Sequence, residues 1–198
     1  RIVDNHTNIV YLRKNDEVIL NKDISNSQKV SNLTDHSILN VEDIYCFANE
    51  IDLFKVEQLI ESQIECNMKI AEFGLTHFYG ANIGKTILET YPYDVSTIAR
   101  AYASAASDAR MNGCELPVVI NSGSGNQGIT CTLPVYYFGV KKNSPKEDIT
   151  RALTLSHLMS IYIKSKIGRL SALCGVVNAS MGAASGITYL SGGTFQQM

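Results

Sequence analysis

The chain has 198 residues and a net charge of −2, with 45% of residues hydrophobic and 18% charged. That balance belongs to a globular chain with a real core and excludes a disordered or collagen-like one. With no basic excess there is no footprint for nucleic acid. Five cysteines, at positions 46, 66, 114, 131 and 174, are odd in number and form no C-x-x-C pair. They argue against a disulfide framework or a zinc finger and fit a reducing, cytoplasmic setting. The chain opens on Arg1 with no signal peptide ahead of it, so it is expected to be processed or a piece of something longer.

In chain order, residues 2–20 read as two strands. Ile9-Val10-Tyr11-Leu12 and Val18-Ile19-Leu20 flank the turn-forming Lys14-Asn15-Asp16-Glu17. The polar stretch 21–40 reads as a linker. Residues 41–50 and 53–73 follow a helical period, the second with Asp52 as N-cap and Gly74 as C-terminal stop. A short helix is expected over 82–90. An Ala-rich helix over 94–111 ends at Asn112-Gly113, and the extended Pro117-Val118-Val119-Ile120 leads into a glycine loop, 121–128. Helices follow over 129–140, from Pro145 to about Lys166, and over 170–190. The reading is α+β, a predominantly helical core with an N-terminal β-hairpin region. Its expected domains are residues 1–40, hairpin and linker, truncated at the N-terminus, and 41–198, a buried-helix domain truncated at the C-terminus.

Charge divides the chain. Residues 1–100 hold 9 Lys and Arg against 15 Asp and Glu, whereas residues 101–198 hold 8 against 4 and carry 11 of the 14 glycines. The acid-poor, Gly-rich half is where a small anion is best received. It includes two uncharged runs, 116–140 and 170–198, long enough to raise the question of a membrane span. Their Gly, Ser, Asn and Thr content instead predicts close-packed helices inside a protein core, with no membrane association.

Gly123-Ser124-Gly125-Asn126-Gln127-Gly128 matches the dinucleotide pattern G-x-G-x-x-G. The strand before it is short, and Glu147 and Asp148 open a helix rather than ending a second strand, so nicotinamide and flavin binding are set aside. The loop's chemistry survives that rejection. Converging backbone N–H groups at a helix N-terminus suit a carboxylate or phosphate, although from the loop alone a tight connection between buried elements is the favoured explanation of the glycines. Arg110 is a candidate for bidentate carboxylate binding, set against a simple helix-terminal ion pair with Asp108. His157 reads as a core histidine or, less simply, a general base. Cys174 is a small hydrophobe unless other ligands converge on it. Cys46 and Cys66 read as helix-core residues, while Cys114 and Cys131 flank the loop without making a metal site. No serine-hydrolase elbow is present around Ser122 or Ser124.

Three stretches carry a family resemblance: Ala105-Ala106-Ser107-Asp108-Ala109-Arg110-Met111, the run Asn121-Ser122-Gly123-Ser124-Gly125-Asn126-Gln127-Gly128-Ile129-Thr130, and Arg169-Leu170-Ser171-Ala172-Leu173-Cys174. With Met181-Gly182-Ala183-Ala184 and His6-Thr7-Asn8-Ile9-Val10, they resemble the L-cysteine desulfidase family, which is related to the alpha chain of bacterial iron–sulfur L-serine dehydratase. The resemblance implies a lyase that uses a [4Fe–4S] cluster with one iron open to substrate as a Lewis acid. It implies elimination of sulfide from L-cysteine, or water from L-serine, to an aminoacrylate that decays to pyruvate and ammonia. Cys174 matches a cluster ligand. Arg110 and the loop residues Ser122, Gly123, Ser124, Gly125 and Asn126 match substrate contacts, and His157 and Asp108 are weaker candidates for supporting roles. Family members are about twice as long. They carry a Cys-Thr-Glu-Pro stretch that would precede Arg1 and cluster cysteines that would follow Met198. The chain is therefore expected to be a central fragment, inactive and without a cluster by itself. Its expected partner is a small amino acid, with room for a homo-oligomer. The alternative is a non-catalytic module that binds a small amino or carboxylic acid.

Overall fold

A computed structural model of the chain describes residues 1–2, 8–23, 34–168 and 171–198. His6 and Thr7, residues 24–33 of the polar stretch, and Arg169 with Leu170 lie outside the described residues. The chain divides into two compact units, Arg1–Asp35 and His36–Met198. The fold is α+β, with one hairpin in the first unit and a helical second unit.

In the first unit, β1 (Tyr11–Lys14) pairs antiparallel with β2 (Glu17–Asn21), Lys14 standing opposite Glu17. The turn is the two-residue Asn15-Asp16, and Asn15 takes the left-handed φ of 54° that a tight hairpin needs. The first strand lies later than its apolar run predicts, because Ile9 only bridges Ile2.

In the second unit, α1 (Val41–Glu50) starts where Asn40 accepts a hydrogen bond from the Asp43 N–H at 2.9 Å. It buries Ile44 and Ala48. Cys46, expected in the core, is exposed, since two residues from each of them is the opposite side of a helix. The second periodic segment does not start as one helix. Asp52 caps a 3-10 turn, Leu53–Lys55, and α2 runs over Glu57–Thr76. Nor does Gly74 end it. Gly74 lies inside α2, where a Cβ would stand 2.3 Å from the Ala105 carbonyl oxygen, so it is a point of close helix contact.

After α3 (Ile83–Thr90), α4 (Val95–Met111) begins at Asp94, whose carboxylate accepts from the Thr97 N–H at 2.7 Å. The segment 117–120 forms neither helix nor strand, and Asn67 of α2 accepts its Val119 N–H at 3.1 Å. Then come α5 (Gly125–Lys141), α6 (Lys146–Ile167, opened by Pro145) and α7 (Gly175–Leu190). Two of these depart from expectation. Gly125 to Gly128 form the first turn of α5 instead of a loop, and α7 starts at Gly175 instead of residue 170.

The core is built around α5, which is buried along most of its circumference. On one side Ile129 and Leu133 pack with Ile70, Ala71, Ala106 and Ala109 of α2 and α4. On the other, Val135 packs with Ile149, Leu153 and Ala183 of α6 and α7. The small residues of α7 do what their composition predicts. A Cβ on Gly182 would be 2.4 Å from the Ser156 carbonyl oxygen, and one on Gly186 would be 2.8 Å from that of Ala152, so these positions set the α6–α7 approach. Among the described residues no helix is long and apolar enough to cross a membrane.

Pairings along the helices fix their directions. Cys131 of α5 and Lys142, which caps its C-terminus, reach Ala179 and Leu190 of α7, so these two helices run parallel. Arg110 meets Asn126, and Tyr102 meets Tyr137, so α4 is antiparallel to α5. The N-termini of α5 and α7 therefore share one end of the bundle with the C-terminus of α4.

Candidate active site

That end of the bundle holds the glycine-rich segment. Asn121 and Ser124 exchange two backbone hydrogen bonds, of 3.1 and 3.0 Å, around a two-residue turn. Both central residues are left-handed, Ser122 at φ 49° and Gly123 at φ 83°. Gly123 accepts this freely. Ser122 adopts it at a cost of about 1–2 kcal/mol, so the surrounding contacts must hold it there.

The turn delivers the chain into α5. In its first turn the N–H groups of Gly125, Asn126 and Gln127 have no carbonyl to bond within the helix, and the macrodipole places partial positive charge there. Gly125 and Gly128 are needed for a reason unrelated to a dinucleotide. A Cβ on Gly128 would lie 1.9 Å from the Val119 carbonyl oxygen, and one on Gly125 would lie 2.3 Å from Arg110 Nε. These glycines make room for the chain's own backbone and for one guanidinium.

Arg110, at the end of α4, donates from Nη1 to the Asn126 side-chain oxygen at 3.1 Å. Its guanidinium is thereby held beside the first turn of α5. Asp108 turns elsewhere, accepting the Ile83 N–H at the start of α3 at 2.8 Å. The ion-pair explanation of Asp108 and Arg110 thus gives way to two separate tasks: Asp108 caps a helix, and Arg110 serves the loop.

Beneath the loop lies a buried polar chain. Asn121 donates from Nδ2 to the His157 carbonyl oxygen at 3.2 Å and meets His157 Nδ1 at 3.0 Å. Because that amide nitrogen is a donor, Nδ1 is the acceptor and the ring proton sits on Nε2. Nε2 meets Thr132 Oγ1 at 3.3 Å, and the Thr132 hydroxyl donates to the Gly128 carbonyl oxygen at 2.7 Å. Asn67 also donates to Thr132 Oγ1, at 3.3 Å. Burial pushes the pKa of His157 down to about 4, so the imidazole is neutral at neutral pH. With both ring nitrogens engaged inside the protein, His157 orders the loop and does not face a substrate as a free base.

The start of α7 is tied to the same turn. Asn178 donates from Nδ2 to Gln127 Oε1 at 2.9 Å and to Ser160 Oγ at 3.0 Å. The Gln127 amide rests on Gly175, where a Cβ would be 2.4 Å from Nε2. Cys174, immediately before Gly175, is an exposed free thiol at the α7 N-terminus. Of the other thiols, Cys131 is buried and its pKa is pushed up to about 12 by desolvation, whereas Cys114 is half-buried against the core of α2, α4 and α5. Among the described residues no three His, Cys, Asp or Glu side chains converge as a metal site. An iron–sulfur cluster takes several thiolates, so these residues alone do not make one.

Asn67, Thr132 and Asn178 escape a reading by motif, and Gln127 enters one only as a variable position of the glycine pattern. Their signal is weak: an uncharged polar residue at an apolar position of a helical period.

Against this geometry, residues 12–198 match the family described as serine dehydratase alpha chain. The chain is 49% identical over 197 residues to a UPF0597 protein of Lachnoclostridium phytofermentans, covering 100% of this chain and 47% of that protein. It is 46% identical over 198 residues to one of Desulfitobacterium hafniense, covering 100% of this chain and 46% of that protein. A third, from Fusobacterium nucleatum, is 45% identical over 198 residues, covering 98% and 46%. The chain spans about half the length of these curated relatives. No solved structure matches it significantly. Its sequence, over nearly its whole length, places the chain in the serine dehydratase alpha chain family.

Proposed function

We propose that this chain is the substrate-cradling part of an iron–sulfur lyase that acts on L-cysteine or L-serine in the cytoplasm. The products are an aminoacrylate with sulfide or water, and then pyruvate and ammonia by hydrolysis. The observation that carries the reading is the Arg110–Asn126 contact at the positive end of α5, within a chain of the serine dehydratase alpha chain family. Ser122, Gly123, Ser124, Gly125 and Asn126 would surround the substrate, with Arg110 and the α5 N–H groups taking its carboxylate. Asp108 and His157 hold the frame. Cys174, an accessible thiol at the neighbouring helix start, would be one thiolate of the [4Fe–4S] cluster, the others coming from outside the described residues. The cluster would supply Lewis-acid chemistry, while this chain binds and orients the amino acid.

The test uses full-length protein purified without oxygen. Pyruvate is expected from L-cysteine together with sulfide, or from L-serine without it. The broad visible absorption of a cluster should fall in Cys174→Ser along with the activity. A colourless protein that forms no pyruvate from either amino acid would overturn the lyase reading, and the non-catalytic acid-binding module would then be the better one.

A further inference from the structure

The buried chain under the loop has a direction, and the direction has a chemical consequence at the surface. The Asn121 amide cannot be turned over. The atom within 3.2 Å of the His157 carbonyl oxygen has to be the nitrogen, because two carbonyl oxygens repel at that distance. His157 Nδ1, at 3.0 Å, reinforces the same orientation. Asn121 Oδ1 then points the other way, to Ser122 Oγ at 2.7 Å. Only the Ser122 hydroxyl can supply the proton for that contact. Its hydrogen is thus spent inward, and the half-buried Ser122 oxygen has only lone pairs left for a ligand.

We infer that Ser122 is the residue that distinguishes an amino acid from a plain carboxylic acid, its hydroxyl oxygen accepting from the substrate's α-ammonium, and that His157 is a positioning residue acting through Asn121. The inference rests on the reading of 122–126 as the substrate cradle. It divides that cradle into two polarities. Arg110 and the first turn of α5 take the negative carboxylate, and the Ser122 oxygen takes the positive ammonium. A carboxylate set against Ser122 would meet lone pairs with lone pairs. Ser122 makes this contact from a left-handed backbone, with φ 49°.

Two probes separate the polarities: L-serine, and 3-hydroxypropionate, which has hydrogen in place of the ammonium. Binding of each is measured by calorimetry on full-length protein handled without oxygen. Ser122→Ala should weaken L-serine about tenfold or more, as expected for a hydrogen bond to a charged group, and leave 3-hydroxypropionate unchanged. His157→Leu should weaken L-serine in the same selective way and add little when combined with Ser122→Ala, because both act on one contact. His157→Asn, which keeps an acceptor toward Asn121, should retain more L-serine binding than His157→Leu. Equal losses for both ligands in Ser122→Ala would mean that Ser122 meets the carboxylate, and the inference falls while the cradle stands. Equal losses in the His157 variants would reduce His157 to a structural role. Wild-type protein that binds neither ligand would overturn the cradle itself and the inference with it.

Discussion

Gly128→Ala is expected to destabilise the protein by about 3 kcal/mol or more, because the change forces backbone against backbone. The added Cβ would sit 1.9 Å from the Val119 carbonyl oxygen, and that oxygen cannot rotate away as a side chain would. Either α5 shifts or the segment before the loop leaves its seat. Both outcomes break contacts that matter. Val119 is tied by its N–H to the wholly buried Asn67, and the Gly128 carbonyl accepts the Thr132 hydroxyl. Urea unfolding of wild type and variant measures the difference. A loss below about 1 kcal/mol would show that the two segments are not packed as described.

Arg110→Ala is expected to raise KM or Kd for the amino acid about a hundredfold, with little change in Tm. Losing a charge-assisted, two-pronged contact with a carboxylate has an effect of that order. The melting point should hold because the side chain lies at the end of α4, where among the described residues its hydrogen bonds go to Asn126 and Met111 alone. Arg110→Lys should recover part of the affinity, restoring the charge without the planar fork. Substrate titration of the three proteins decides the matter. An unchanged affinity in Arg110→Ala would remove Arg110 from the site and leave it as a loop brace.

Much of this arrangement was legible in the sequence, and the reason differs by element. Asp94 before an Ala-rich period, and Pro145 before Glu147 and Asp148, mark helix starts through local chemistry, and the structure places α4 and α6 there. The hairpin was legible because Asn15-Asp16 sits between apolar strands, though the register was not, since Ile9 and Val10 are as strand-like as Tyr11 and Leu12. The glycines misled. Gly74 read as a helix stop and Gly125 to Gly128 as a loop, yet all three glycines lie within helices. Their cause is the neighbour each one admits: Ala105, Arg110 and Val119. Such a contact between distant segments leaves no local pattern. The same limit hid the partners of Asp108 and Arg110, two residues apart in sequence but serving α3 and α5. It also hid the polar chain from Asn67 through Thr132 and His157 to Asn121. Asn67, Thr132 and His157 sit among apolar residues of three helices, Asn121 lies in the polar loop, and the chain they form exists only where these segments meet.

The central claim is that the first turn of α5, with Arg110, holds the substrate carboxylate. The most direct test is a crystal structure of the full-length protein grown without oxygen and soaked with L-serine. The carboxylate is expected within hydrogen-bond reach of the Arg110 guanidinium and the N–H groups of Gly125 and Asn126. Well-ordered L-serine bound elsewhere, with Arg110 still on Asn126, would contradict it.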